Sequence, residues 1–210
     1  RPDRCHHRRD RPFQFWAGAR PVSRLEELLK TLCPEEVGDL PLGKLCISLK
    51  KVTLTQHRLN DTFQYPVINS GRDYYGRYSD YNNDGNALVI ASRGEYAGFI
   101  SYIPQKFWAG GLCYPYRSKN ENNAITKYIY YVLKNSEQKI MDSLVARGSI
   151  PALNKSDIDK FLIPLPPFRV QEEIVRILDT FTALETELEA ELAARTQQYE
   201  HYRHDLIFHY

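Results

Sequence analysis

The sequence Ile163-Pro164-Leu165-Pro166-Pro167-Phe168 is followed by residues 169–210, which contain neither glycine nor proline. Clustered prolines favour extended backbone, whereas a long segment without helix breakers permits one continuous helix. A helix from residue 169 to about residue 205 would extend roughly 55 Å at 1.5 Å per residue, which is long for a helix packed on a small domain. The stretch therefore predicts that a compact domain ends here and that a helical arm begins.

An apolar stripe runs along the predicted helix. Apolar and aromatic residues recur mostly at steps of three and four, which keeps them on one face. This arm stripe consists of Ile174, Leu178, Phe181, Leu184, Leu188, Leu192, Tyr199, Tyr202 and Leu206. Because a single helix cannot cover such a stripe by itself, it needs a partner surface. We expect a coiled-coil pairing, with a surface helix lying on its own domain as the alternative.

The composition is that of an ordinary water-soluble protein, with 42% hydrophobic and 26% charged residues. No apolar run approaches the roughly 20 residues of a membrane span, so no membrane role is expected. The four cysteines, Cys5, Cys33, Cys46 and Cys113, have neither metal-ligand spacing nor the pattern of a disulfide framework. This cysteine usage favours a reducing cytoplasm, and neither a metal nor a cofactor is predicted.

The net charge of +2 conceals a segregation of charge along the chain. Residues 40–160 carry 16 basic and 10 acidic side chains, whereas residues 168–210 carry 4 basic and 9 acidic ones. The middle of the chain therefore suits contact with phosphates. The acidic arm does not, and its partners are expected to be proteins.

Residues 1–22 carry six arginines and two aspartates with little apolar periodicity. We predict a disordered or non-native N-terminal extension, with a translation start near Val22. A basic arm for nucleic acid is the alternative.

The middle of the chain is expected to mix strands and helices. Residues 45–55, 65–69 and 87–91 are rich in β-branched and apolar residues and are predicted strands. Residues 94–103 alternate like one arm of a hairpin, and residues 125–144 have helical spacing. The predicted class is α+β.

Three partial enzyme motifs each lack an essential group. Residues 38–44 (GDLPLGK) match the beginning of a phosphate-binding loop, but Leu45 stands where a hydroxyl would hold magnesium. Residues 165–168 (LPPF) approximate a methyltransferase motif, with leucine in place of the group that accepts a hydrogen bond from the target amine. Residues 137–139 (EQK) resemble half of a metal-dependent nuclease site, but inside a predicted helix they are expected to form a solvated face. The chain is therefore predicted to be neither a methylase nor a nuclease by itself.

Twelve of the 15 tyrosines lie between Tyr65 and Tyr131, and residues 71–86 (GRDYYGRYSDYNNDGN) combine them with arginine and asparagine. Arginine pairs bidentately with guanine and asparagine with adenine, while other basic groups fix the register on phosphates. The alternative is that the tyrosines cover a small core. We favour DNA contact for this loop. The predicted DNA-binding residues are Arg72, Tyr75, Arg77, Tyr78, Arg93 and Lys119.

A set of short motifs before and within the arm carries a family resemblance. Before the arm they are Gly148-Ser149-Ile150-Pro151-Ala152-Leu153, Asp157-Ile158 and Ile163-Pro164-Leu165-Pro166-Pro167. Within the arm they are Gln171-Glu172-Glu173-Ile174-Val175, Leu178-Asp179, Glu191-Leu192, Arg195, Gln198-Tyr199 and Tyr202-Arg203. Together they closely resemble the specificity (S) subunit of type I restriction-modification enzymes. Ser92-Arg93-Gly94 with Gly98 also resembles a segment of that family's target-recognition domain.

The resemblance implies a DNA reader without catalysis of its own. In such a subunit, two target-recognition domains each read half of a split DNA site, and two antiparallel helices set the spacing. The resemblance also implies methylation (M) subunits, which carry out S-adenosylmethionine-dependent adenine methylation, and restriction (R) subunits, which translocate and cleave DNA. The expected organisation is a mixed α/β target-recognition domain over residues 23–166 and a coiled-coil spacer helix over residues 167–210.

With one recognition domain and one helix, the chain resembles half of such a subunit. A homodimer joined through the arm stripe would have two-fold symmetry and would read a palindromic interrupted site. The alternatives are pairing with a different half subunit, or a truncated or cassette fragment that acts only as a coiled-coil adaptor. A free-standing DNA-modifying enzyme is disfavoured by the incomplete motifs.

Overall fold

The computed structural model describes residues 24–33 and 37–208. The predicted extension over residues 1–22 lies outside the described residues. The helices are α1 (Arg24–Leu32), α2 (Leu42–Leu45), α3 (Thr126–Asn135), α4 (Glu137–Ser143), α5 (Lys155–Ile158) and α6 (Phe168–Phe208). The strands are β1 (Asp39–Pro41), β2 (Cys46–Ser48), β3 (Tyr65–Ile68), β4 (Gly76–Tyr78), β5 (Ala87–Ala91), β6 (Ile100–Ile103), β7 (Trp108–Ala109), β8 (Cys113–Ser118), β9 (Val145–Ala146), β10 (Ala152–Leu153) and β11 (Leu162–Pro164).

Two sheets form the body of the fold. The larger sheet is antiparallel with strand order β2-β8-β5-β6, and the smaller one has the order β4-β3-β7 with β3 and β7 parallel. The central strand β5 is buried along its whole length, since Leu88 belongs to the same buried cluster as Ile129 of α3 and Val89 to that of Phe107 beside the smaller sheet. The sequence ALVIA lacks alternation because both of its faces are covered. This arrangement confirms the predicted α+β class.

The arm begins where the prolines end the last strand. β11 pairs with β1, and the chain then passes through Pro166 and Pro167 into α6 at Phe168. The first three turns of α6 pack on the domain, where Val170 is fully buried and Glu173 lies 3.7 Å from Arg24 of α1. A hydrogen bond from Arg176 lowers the pKa of Glu173, so this carboxylate stays charged between the helices. The division into residues 1–22, 23–166 and 167–210 stays a prediction.

The apolar face of the arm divides into two parts. Ile174 and Leu178 are half-buried, and Ile174 packs against the main core. From Thr180 onward every described side chain of α6 is exposed. The expectation that the whole arm stripe has no partner in its own chain is therefore wrong for its first two members. It holds for the described side chains of the stripe from Phe181 onward.

The predicted strand over residues 45–55 is shorter than expected. Leu45 ends α2, only Cys46–Ser48 pair with β8, and residues 49–55 form no strand. The Leu49 N–H still donates to the Pro115 carbonyl at 2.8 Å. Proline has no N–H to return the second hydrogen bond of an antiparallel pair, so the ladder stops at this point.

The predicted helix over residues 125–144 is interrupted at Ser136, which separates α3 from α4. At this break the Glu137 carboxylate accepts hydrogen bonds from the Ile100 N–H at 2.8 Å and from the Lys134 ammonium at 2.7 Å. The prediction that Glu137 belongs to a solvated face is therefore wrong. Its carboxylate ties α4 to the start of β6.

Two shorter segments also differ from their predictions. The stretch over residues 71–86 is not only a loop, since β4 lies within it and pairs with β3. In the predicted hairpin arm over residues 94–103, only Ile100–Ile103 form a strand. The earlier part is a turn in which Gly94 and Gly98 have φ of +95° and +92°.

Gly85 tests the packing of the turn that leads into β5. Its φ of +89° favours glycine, and an added Cβ would lie 2.7 Å from the Gln105 carbonyl carbon. Gly94 has a similar φ, but nothing lies within 4 Å of its added Cβ. We expect Gly85→Ala to lower the free energy of unfolding by about 2 kcal/mol more than Gly94→Ala, because only the first adds a backbone collision to the strain. Denaturant unfolding of both variants checks this, and equal losses would contradict it.

Candidate nucleic-acid interface

Three of the predicted DNA-binding residues lie at the end of the larger sheet where β5 ends and β8 begins. Arg93 is exposed and follows β5 after Ser92, whose N–H donates to the Leu112 carbonyl. Tyr75 is exposed and lines a hollow together with Leu112. The guanidinium of Arg72 lies 5.1 Å from the ring centroid of Tyr96, in the turn before β6. The fold therefore brings Arg72, Tyr75 and Arg93 to one end of the sheet.

Lys119 lies at the opposite end of the same sheet. It follows the last residue of β8, which runs antiparallel to β5 and is six residues long. Six residues of strand extend about 20 Å, so Lys119 does not join the cluster around Arg93. Its ammonium donates to the carbonyls of Gly43 and Lys44 at 2.9 and 2.8 Å. These hydrogen bonds attach the end of β8 to α2.

Arg77 lies in β4 and is largely occupied by its own chain. Its guanidinium donates to the carbonyls of Phe63 and Gln64 at 3.1 and 2.7 Å. The side chain is half-buried and holds the loop that leads into β3. The predicted set of six residues thus forms no single cluster in the structure.

Tyr78 belongs to a separate basic and aromatic surface on the smaller sheet. The backbone pairs Tyr78 with Tyr65 and Trp108 with Val67, which places these side chains on one face. The rings of Tyr78 and Trp108 meet edge to face with centroids 5.0 Å apart. We call this surface the small-sheet patch; its members are Arg58, Tyr65, Tyr78, Tyr81, Lys106 and Trp108.

Two cations flank the aromatic rings of the small-sheet patch. The Arg58 guanidinium donates to the Tyr78 hydroxyl at 2.6 Å, and the Lys106 ammonium donates to the Tyr81 hydroxyl at 2.9 Å. The Tyr81 ring in turn lies 5.0 Å from that of Tyr65. Tyrosine hydroxyls are thus the hydrogen-bond acceptors that orient both cations over this face.

The charge of these cations is not neutralised by an ion pair. Within the described part of the chain, neither Arg58 nor Lys106 has a carboxylate oxygen within 4.0 Å. The hydrogen bond with Tyr81 raises the pKa of Lys106, with a smaller contribution from the charge of Asp84. Lys106 therefore stays protonated at neutral pH. Both side chains are exposed and retain hydrogen-bond donors for an anionic partner.

Sequence reasoning missed Arg58 and Lys106 because only the pairing of β3 with β4 and β7 brings them together. Arg58 precedes Tyr78 by 20 residues, and Lys106 follows Tyr81 by 25. The adjacent Lys106-Phe107-Trp108 was the signal available in the sequence, since it sets a cation beside an aromatic residue on a strand. The tyrosine-rich composition identified the right sheet but not the cations that complete its surface.

The second candidate surface is the outer part of the arm. The exposed fractions of its stripe residues are Phe181 64%, Leu184 48%, Leu188 65%, Leu192 68%, Tyr199 63%, Tyr202 56% and Leu206 67%. Large side chains that repeat on one face of a helix at this exposure are typical of a surface that pairs with another helix. Among the helices that the structure describes, none is long and apolar enough to cross a membrane.

A sheet-rich domain with a cationic aromatic face, extended by a helix with an uncovered apolar stripe, defines a recognition module with an arm for assembly. The family described as "Type I restriction modification DNA specificity domain" matches residues 34–196. Since this match covers well over half of the sequence, the chain belongs to that family.

The chain is similar to two curated specificity subunits. It is 29% identical over 205 residues to the type I restriction enzyme EcoR124I/EcoR124II specificity subunit of Escherichia coli, covering 89% of this chain and 48% of the relative. It is 31% identical over 198 residues to a type I restriction enzyme specificity subunit of Haemophilus influenzae, covering 87% and 48%. The chain thus spans about half the length of these curated relatives.

Solved structures share the fold. The type I restriction-modification S subunit from M. genitalium aligns with a TM-score of 0.69 at 20% identity, over 80% of this chain and 45% of that one. The HsdS subunit from Thermoanaerobacter tengcongensis aligns with a TM-score of 0.55 at 18% identity, over 80% and 45%. The domain and the first part of the arm therefore follow a known architecture.

Proposed function

We propose that the chain is a DNA-recognition component of a type I restriction-modification complex in the cytoplasm, reads one half of a bipartite site and scaffolds methylation and restriction subunits. The observation that carries the proposal is the small-sheet patch, in which Arg58 and Lys106 flank the Tyr78 and Trp108 rings without an ion pair. Cations without carboxylate partners suit phosphates, and exposed ring faces suit sugars and bases. Catalysis belongs to the partner subunits in this proposal.

The residues predicted from the sequence have different roles in the proposed complex. Arg72, Tyr75 and Arg93 form a second contact region at the far end of the larger sheet. Tyr78 acts within the small-sheet patch. Arg77 and Lys119 contact DNA with the donors that their backbone carbonyl partners leave available, since arginine has five N–H donors and lysine three.

The outer arm stripe carries the assembly half of the proposal. Two copies of the chain, joined through Phe181, Leu184, Leu188 and the residues that follow, would place two recognition domains at the two ends of a helical pair. Two-fold symmetry then requires a palindromic interrupted site. Pairing with a different half subunit uses the same stripe and yields an asymmetric site instead.

Removal of both patch cations is expected to weaken DNA binding without changing sequence preference. For Arg58→Ala with Lys106→Ala, we expect an affinity loss of about tenfold at physiological salt and a salt dependence reduced by about two phosphate contacts. The measurement is fluorescence anisotropy of duplex DNA over a salt series, with the chain assembled with its methylation subunits.

Lys139→Ala in α4 is the matched control, because Lys139 is equally exposed but lies outside the patch. An unchanged salt dependence in the double variant would reject the small-sheet patch as a DNA contact. If the unaltered assembly has no measurable DNA affinity, the coiled-coil adaptor is the better description.

A further inference from the structure

The arm leaves the domain at Asp179, which is held by two donors from one helix. Its Oδ2 accepts a hydrogen bond from the Lys127 ammonium at 2.7 Å, and its Oδ1 accepts one from the Tyr131 hydroxyl at 2.5 Å. Lys127 and Tyr131 lie one turn apart on α3. Burial, together with this hydrogen bond, raises the pKa of Tyr131 to about 12, so its hydroxyl stays protonated and donates.

A second polar anchor holds α6 eight residues earlier. The side chain of Gln171 is fully buried and bonds to the backbone of Ile125 and Asn123, just before α3. Eight residues of helix separate the two anchors by about 12 Å. One anchor alone would leave the helix free to pivot, whereas two along its axis fix its direction.

The direction of the arm is transmitted to the recognition sheets through α3. Ile129 and Leu133 of α3 are fully buried in the cluster that also contains Leu88 and Ile90 of β5. The Asp179 anchor therefore connects the arm to the same layer that supports the small-sheet patch from behind. A change at Asp179 would alter the angle between the arm and the patch without touching the patch.

A small change of angle has a large effect at the end of a long arm. From Asp179 to the end of α6 at Phe208 the helix extends about 44 Å. A tilt of about 10° over that length displaces the tip by about 8 Å, which is close to the rise of two base pairs at about 3.4 Å each.

We infer that the Asp179 anchor is a positioning device that fixes the number of base pairs between the two half-sites of the recognised DNA. The inference rests on the proposed function, since it requires two recognition domains joined by arms. Asp179 touches no DNA in this role. It acts by holding the angle at which each arm leaves its domain.

The test is methylation-motif sequencing of genomic DNA from cells that contain the chain and its methylation subunits. Asp179→Ala removes the acceptor, and Lys127→Met with Tyr131→Phe removes the donors from the other side. For both variants we expect the same half-site bases but a spread of spacer lengths to at least one base pair on either side. Asp142→Asn is the control, because it loses an exposed ion pair with Arg147 far from the arm.

The outcomes separate the anchor from the proposed function. A single unchanged spacer length in both variants would overturn the positioning role of Asp179, as would loss of all methylation in variants with unaltered thermal unfolding. Absence of any methylated motif with the unaltered chain would overturn the proposed function and this inference with it.

Discussion

Replacement of Leu188 and Leu192 by aspartate is expected to abolish pairing of the arms. Both leucines are exposed by about two thirds and lie on the outer arm stripe. Burial of an unpaired carboxylate in a helical interface costs several kcal/mol, and the excess of glutamates on the arm adds repulsion. The expected loss exceeds about 100-fold in the dimer dissociation constant. Light scattering during size-exclusion chromatography, with and without methylation subunits, measures the change.

The arm itself supplies a matched control. Ala190 and Gln197 lie on the helix face opposite Leu188 and Leu192 at 100° per residue. Ala190→Asp with Gln197→Asp adds the same number of charges and should leave the assembly intact. A dimer that persists in the leucine double variant would contradict the pairing model. So would an unaltered chain that stays monomeric with and without methylation subunits.

Gln171→Ala is expected to cause the largest loss of stability among single polar substitutions in the arm. The amide accepts a hydrogen bond from the Ile125 N–H at 3.0 Å and donates to the carbonyls of Asn123 and Pro166 at 3.0 and 2.8 Å. Truncation leaves three backbone groups without their partner and opens a cavity beside a fully buried site. At about 1 kcal/mol for each group, we expect a loss of about 3 kcal/mol in the free energy of unfolding.

Thermal and denaturant unfolding measure the effect of Gln171→Ala. For a chain of this size the melting temperature should fall by about 10 °C. Gln197→Ala is the control, since an exposed glutamine on the same helix should change the free energy of unfolding by less than about 0.5 kcal/mol. A melting temperature within about 1 °C of the unaltered chain would show that water replaces the amide without cost, and the anchor would carry no stability.

Local sequence patterns predicted the elements whose environment they encode. The apolar run over residues 87–91 became β5 because it is covered on both faces, and the absence of breakers after Pro167 gave one helix that begins at Phe168. The motif that begins at Gln171 contains the side chain that anchors this helix. Its importance was readable from the sequence, but its hydrogen bonds to the segment before α3 were not.

The failures of sequence reasoning have tertiary causes. Residues 49–55 have strand propensity, yet Pro115 on the neighbouring strand cannot complete the ladder. The spacing of residues 125–144 suits one helix, but the carboxylate of Glu137 bonds to β6 at a break. In each case a contact with a distant segment decides the local structure, which propensity cannot anticipate.

The candidate site shows the same limit. Sequence analysis selected cations by their proximity to tyrosines along the chain, whereas the small-sheet patch depends on strand pairing across β3. Arg58 and Lys106 lie far apart in the sequence and meet on one face only in the folded domain. Lys119 is separated from Arg93 by the length of β8 for the same reason.

The most direct test of the central claim is sequencing of methylated bases in a genome that encodes this chain together with its methylation subunit and no other specificity subunit. The account predicts adenine methylation at an interrupted palindrome with one fixed spacer, and loss of that methylation in the Leu188→Asp, Leu192→Asp variant. Methylation of an uninterrupted site, or an interrupted site that the variant still modifies fully, would contradict a reader assembled from two such halves.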